Sequence, residues 1–183
     1  NNLNSIDTSM SGNWQKEQAK IIRVSVGEFK APINAAAMEK KKKTGDVKAY
    51  VGSSKYLEIK RKGAVNYLAA VRSPGSTLKP LIYAKALQRG FITTNHVYQD
   101  KVFHQNGYTP TNFDGNWTGE VTLKDALIRS LNIPAIETLG MLGAEQFEKN
   151  LRSFFGTEIG HGKEAGLSLA AGGFYMNAEN LAD

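Results

Sequence analysis

Apolar positions recur along this chain with two different periods, and the period changes at Gly, Pro and Asp. Between Trp14 and Val26, the positions Trp14, Gln18, Ile21, Ile22 and Val24 allow one amphipathic helical face. Ile33–Met38 is a small-residue apolar run, and Val47–Gly52 alternates with a period of two. Lys43-Thr44-Gly45-Asp46 lies between them and supplies turn residues, so the pair predicts a β-hairpin. A lone hairpin is marginal in water, which predicts that this one opens a sheet packed on helices.

Ser73-Pro74-Gly75 breaks the chain next. Leu78, Leu81, Ile82, Ala84 and Leu87 then follow helical spacing up to Gly90. This predicts a helix starting at Ser76, with Pro80 tolerated in its first turn and Gly90 just past its end. Phe91–Gly119 reads as a long loop, a length that usually signals function. Thr122-Leu123-Lys124-Asp125 is a capping-box-like start for a helix through Ile128. Pro134 is expected to push Ile133 out of the helical region and to open a new helix through Leu142. Ala144–Phe155 predicts another amphipathic helix ended by Gly156, and Asn177–Asn180 predicts a helix cap.

Composition narrows the class. With 183 residues, 41% of them hydrophobic and 22% charged, the chain can build one core and one domain. The longest stretch without a charged residue, Ala165–Ala178, is too short to cross a bilayer. The Asn1 start shows no signal-peptide pattern and no initiator Met, so the chain reads as a piece of something longer. There is no cysteine, which removes disulfides, thiol nucleophiles, iron–sulfur clusters and Cys-based zinc sites. His96, His104 and His161 are scattered, so they read as solvated loop histidines and no metal site is expected on them. The net charge of +6 favours an anionic partner, but its densest run, Lys40–Lys43, fits a solvated hairpin tip. No aromatic-interleaved basic pattern supports nucleic acid.

Three patterns bear on chemistry. Gly160-His161-Gly162-Lys163 fails as a phosphate loop, because Thr stands at 157 and Glu164 occupies the hydroxyl position. Asn116-Trp117-Thr118 is a glycosylation triplet with nothing else to support it. The third is Ser76-x-x-Lys79 with Ser130-x-Asn132 behind it. A serine hydroxyl is a weak nucleophile unless a neighbour takes its proton, and a lysine does so only when neutral. A helix N-terminus and an apolar pocket both disfavour the ammonium form. The i, i+3 spacing brings the amine toward the hydroxyl, and the Ser76 N–H is placed to meet an oxyanion. Ser130 and Asn132 would relay a proton and hold a peptide bond. The same residues also fit a plain reading, with Ser76 a helix cap, Lys79 solvated, and Ser130 and Asn132 turn residues.

Arg72-Ser73-Pro74-Gly75-Ser76-Thr77-Leu78-Lys79-Pro80 resembles the active-site segment of penicillin-binding protein transpeptidase domains. So do Asp46–Ser53, Tyr108-x-Pro110-x-Asn112-Phe113-Asp114 and Ser130-Leu131-Asn132-Ile133-Pro134-Ala135, in matching order from about residue 30 onward. The closest flavour is the class A, 1C-like type, whose members join a glycosyltransferase to a transpeptidase. The resemblance implies an α+β fold like that of penicillin-binding transpeptidases and serine β-lactamases, an antiparallel sheet packed with helices. Residues 1–30 would be a lead-in segment and 31–183 the N-terminal part of the transpeptidase domain.

The implied activity is peptidoglycan D,D-transpeptidation on the extracytoplasmic face of the bacterial inner membrane. Ser76 would attack the carbonyl between the terminal D-alanines of a stem peptide, with Lys79 as base, Ser130 as relay to the leaving group and Asn132 holding the substrate amide. β-Lactams would acylate Ser76, and no cofactor is required. The family's Lys-Thr-Gly motif follows the Ser-x-Asn motif, so Lys43-Thr44-Gly45 stands in the wrong place and is expected to be a decoy. The true motif, its strand and its oxyanion amide are expected beyond Asp183, and a membrane anchor before Asn1. The chain alone is then expected to be catalytically impaired, with an uncovered face that dimerisation or the missing part would hide. Other readings are a serine β-lactamase or D,D-carboxypeptidase, and a non-catalytic β-lactam sensor or peptidoglycan-binding scaffold.

Overall fold

The computed structural model describes residues 8–30, 32–105, 107–155 and 165–182. Gly156 and the Gly160–Lys163 run lie outside them. The chain divides into two compact units, one of Asn1–Val71 with Asn177–Asp183 and one of Arg72–Met176.

In the first unit, α1 (Gly12–Gly27) packs on the antiparallel pair β1 (Ala37–Lys40) and β2 (Val47–Val51). The expected hairpin is present, but its first strand is Ala37–Lys40 rather than the Ile33–Met38 run, because strand pairing runs up to the turn. Gly45 takes φ 73°, a left-handed conformation that its missing Cβ makes inexpensive, and Lys41 N–H donates to Asp46 O at 2.8 Å to close the turn. Lys43-Thr44-Gly45 is therefore hairpin-tip sequence. Ile22, Val26 and Val51 form the core of this unit, flanked by Ala19, Ala35 and Ala37. Gln15 serves the open edge of β2: its Nε2 donates to Tyr50 O at 2.8 Å and its Oε1 accepts from Tyr50 N at 2.7 Å. The cap at Asn177 forms as expected, its side chain accepting from Asn180 N–H at the start of α6 (Ala178–Leu181).

The second unit contains α2 (Lys79–Gln88), β3 (Val97–Asp100), β4 (Gly119–Thr122), α3 (Leu123–Ile128), α4 (Asn132–Leu142) and α5 (Ala144–Phe155). A 3-10 stretch, Gly166–Ala171, follows. α4 is central: Ile133, Ala135, Ile136, Leu139 and Leu142 are all buried, against α2 on one side and the 3-10 stretch on another. Glu148 of α5 is buried and paired, receiving Arg152 Nη2 at 2.6 Å and Ala165 N–H at 2.8 Å.

Four expectations change here. The helix expected from Ser76 opens instead as a 3-10 turn, Gly75–Leu78, and becomes α-helical at Lys79. Pro80 explains this: it has no N–H for the Ser76 carbonyl, which takes the tighter bond from Lys79 N–H instead. The buried face of α2 is Lys79, Ile82, Tyr83 and Ala86, while Leu81 and Ala84 stay exposed. The Phe91–Gly119 stretch is not all loop, because Val97–Asp100 pairs with Gly119–Thr122. Finally, α4 starts at Asn132, so Ile133 is helical and Pro134 is the third residue, still within the turn whose N–H groups lack partners. Among the described residues, no helix is long and apolar enough to cross a membrane.

Candidate active site

Lys79 opens α2 with its side chain turned inward and only 1% of its surface exposed. Its amine reaches three oxygens: Ser130 O at 2.6 Å, Asn132 Oδ1 at 2.7 Å and Ser130 Oγ at 3.3 Å. The acceptors are all uncharged, and burial pulls the Lys79 pKa down to about 8. At pH 7.4 about a fifth of the amine is then neutral, against about one part in a thousand for a solvated lysine.

Ser130 and Asn132 reach Lys79 through the way α3 ends. Thr122 caps the helix as its sequence predicts, accepting Asp125 N–H at 3.1 Å. At the other end Ser130 N–H donates to Leu127 O at 3.1 Å and Leu131 N–H to Ala126 O at 2.9 Å. That pair is a Schellman motif, and its left-handed position normally belongs to Gly. Here Ser130 occupies it at φ 55°, a strained conformation costing about 1 kcal/mol. The strain turns the Ser130 carbonyl and hydroxyl onto Lys79, and α4 begins two residues later with Asn132.

Ser76 sits on the exposed 3-10 turn before α2. The direct contact expected between Lys79 and Ser76 is not made. The buried amine is drawn to the Ser130 and Asn132 carbonyl oxygens, which are better acceptors in a dry site than a solvated hydroxyl. Three of the four residues singled out from sequence are thus brought together, and Ser76 lies one turn along the same segment. Among the described residues, neither its hydroxyl nor its amide N–H has an internal partner. The amide is therefore free to meet an oxyanion. The neighbouring hydroxyls are tied down: Ser73 Oγ donates to Gly172 O at 2.7 Å and accepts Gly75 N–H at 3.1 Å, and Thr77 Oγ1 donates to Pro74 O.

The turn is seated by Gly172. A Cβ there would lie 2.6 Å from Ser73 Oγ and 2.9 Å from Gly75 Cα, and the residue holds φ 94°. Nothing in the local sequence flags this approach. Asp100 was missed as well, and Asn112 stood in a quoted motif without a role. Asp100 is fully buried and Asn112 nearly so. Among the described residues no cluster of three His, Cys, Asp or Glu could hold a metal.

The sequence model of the penicillin binding protein transpeptidase domain matches residues 35–178. Penicillin-binding protein 1C of Escherichia coli (strain K12) is 36% identical over 137 residues, which is 74% of this chain and 18% of that protein. Penicillin-binding protein 1F of Bacillus subtilis (strain 168) is 39% identical over 140 residues, 76% of this chain and again 18% of the relative. The chain therefore spans less than a fifth of the length of these relatives. In structure, the penicillin-binding protein PonA1 from Mycobacterium tuberculosis superposes with a TM-score of 0.80 at 17% identity, covering 97% of this chain and 48% of the other. A further structure of that protein is a complex with penicillin V, with a TM-score of 0.78. With the model match over most of its length and the fold agreeing, the chain belongs to the penicillin-binding protein transpeptidase domain family.

Proposed function

We propose that this chain carries the nucleophile half of a serine D,D-transpeptidase that cross-links peptidoglycan outside the cytoplasmic membrane and is acylated by β-lactams. In this reading residues 31–183 are the N-terminal part of the transpeptidase domain. The observation that carries it is the buried Lys79 amine held on Ser130 and Asn132 beside the exposed Ser76 turn. The Ser76 Oγ proton passes to Lys79 as the Oγ–C bond forms at the penultimate D-alanine carbonyl. The C–N bond to the terminal D-alanine then breaks, and Ser130 passes the proton to the departing amine. An acceptor amine attacks the ester and releases Ser76 with its proton restored. The Asn132 carboxamide steers the substrate amide. The membership of the chain in the family and the PonA1 complex with penicillin V support β-lactams as mimics of the donor.

The test is a donor pentapeptide and an amine acceptor supplied to a full-length class A protein carrying this segment. Cross-linked product and a long-lived penicillin adduct are expected. Rapid hydrolysis of the adduct without cross-linking would move the assignment to a β-lactamase or carboxypeptidase.

The strain at Ser130 gives a second expectation. Ser130→Gly relieves the left-handed position, so stability is unchanged or raised by up to about 1 kcal/mol in a denaturant titration. The same variant lacks the hydroxyl relay and slows penicillin acylation at least about tenfold. Unimpaired acylation would remove Ser130 from the mechanism.

A further inference from the structure

We propose that Asp100 and Asn112 form a buried clamp that sets the first residue of α4 and thereby holds the Asn132 carboxamide on Lys79. The inference rests on the functional reading for the meaning of Lys79, and on geometry for the clamp itself.

The first N–H groups of a helix have no partner within it. At α4 the N-cap residue is Leu131, which has no side-chain oxygen to offer. The missing acceptor comes from the loop after β3: Asn112 Oδ1 takes the Asn132 N–H at 2.7 Å. Next to it the Thr111 carbonyl takes Asn132 Nδ2 at 2.7 Å. Two consecutive loop residues thus grip Asn132 by backbone and by side chain. With Nδ2 committed to Thr111, the Oδ1 atom is left facing Lys79.

The grip depends on which way the Asn112 amide faces, and Asp100 decides that. Asp100 ends β3 fully buried and only accepts: Asn112 Nδ2 lies 2.9 Å from both of its oxygens, and Thr118 N–H lies 2.8 Å from Oδ2. Asn112 Nδ2 also donates to Asn116 O at 2.9 Å. Turning the amide over would set its oxygen against the carboxylate and the Asn116 carbonyl, with no proton between them. An acceptor-only neighbour therefore fixes the oxygen of Asn112 toward α4. Asp100 and Asn112 are positioning residues, since neither touches Lys79, Ser76 or the reacting atoms.

The test follows Lys79 by NMR in the whole chain with its lysine ε-carbons labelled, the signal identified by its loss in Lys79→Arg. The wild-type midpoint is expected at about 8. In Asn112→Ala the Asn132 oxygen leaves the amine, the ammonium loses an acceptor, and the midpoint falls to about 7. Penicillin acylation of a full-length class A protein carrying this segment, read at about pH 9 where the amine is mostly neutral in both proteins, slows about tenfold through lost geometry. A lowered melting temperature with an unmoved midpoint would overturn the proposal and leave Asn112 a packing residue. Should Asn112→Ala fail to fold, Asp100→Asn decides: its amide replaces one of the two acceptors facing Asn112 Nδ2 with a donor, the Asn112 amide loses its fixed orientation, and the Lys79 midpoint and the acylation rate move in the same direction as in Asn112→Ala. An unmoved midpoint in Asp100→Asn overturns the clamp. A shifted midpoint in Asn112→Ala with no acylation of the full-length class A protein carrying this segment, wild type included, would sustain the clamp and overturn the transpeptidase reading instead.

Discussion

In a full-length class A protein carrying this segment, replacing Ser76 by alanine is expected to abolish the one-drug mass increase that benzylpenicillin produces, as read by intact-mass spectrometry of the variant beside the wild type. Three hydroxyls crowd this turn, and only one is available. Ser73 is bonded on both sides, to the Gly172 carbonyl and the Gly75 amide, and Thr77 is bonded to the Pro74 carbonyl. Ser76 is exposed, has an N–H with no partner among the described residues and precedes Lys79 by three residues. A nucleophile must give up its proton in the transition state, and a hydroxyl already donating elsewhere gives up a bond as well. Because the Ser76 side chain is exposed and has no hydrogen-bond partner among the described residues, its loss leaves stability within about 0.5 kcal/mol. An adduct that persists in Ser76→Ala would move the nucleophile to another hydroxyl and unseat the assignment.

The second large effect belongs to Lys79. General-base catalysis contributes about 10²- to 10⁴-fold, so Lys79→Met is expected to slow acylation by that order. In the wild type the acylation rate should climb with pH and level off around a midpoint of about 8, where the buried amine loses its proton. Stability should carry the same signature. The folded pKa lies below the unfolded value of about 10.4, so below pH 8 the amine is charged in both states and its burial cost is fully present. As pH rises through 8, the folded state releases the proton while the unfolded state still holds it, and folding gains. Denaturant titrations at about pH 7 and pH 9.5 should show about 2 kcal/mol more gain in the wild type than in Lys79→Met. Identical pH slopes in the two proteins would mean that Lys79 is solvated, and its role as base would fall with that result.

Local signals in the sequence were enough for the elements that local chemistry decides. The turn around Lys43–Asp46, the Thr122 cap and the Asn177 cap each depend on a few adjacent residues, and each stands where its pattern put it, although the strand before the turn is Ala37–Lys40 rather than Ile33–Met38. The start of α2 depends on one missing N–H at Pro80, a detail that apolar spacing does not carry. β3 is short and ends in a buried aspartate, a residue that strands disfavour, and only its pairing with β4 reveals it. The grouping of Lys79, Ser130 and Asn132 was legible as a set of candidates. Its tightness was not, because it rests on a serine in a glycine position and on an asparagine twenty residues away in the chain.

The contact between Gly172 and the Ser73 side chain has a temporal side. The two residues are 99 positions apart, and the bridge between Arg72 and Met176 spans a similar distance. Closing so long a loop is slow compared with forming α2 or α3. On a ribosome, where the chain emerges from its N-terminus, Ser76 appears long before the segment that seats its turn. Ser76, the proposed nucleophile, is therefore presented to solvent early but held in register late, and any competence it has is a product of completed folding rather than of the helix it precedes.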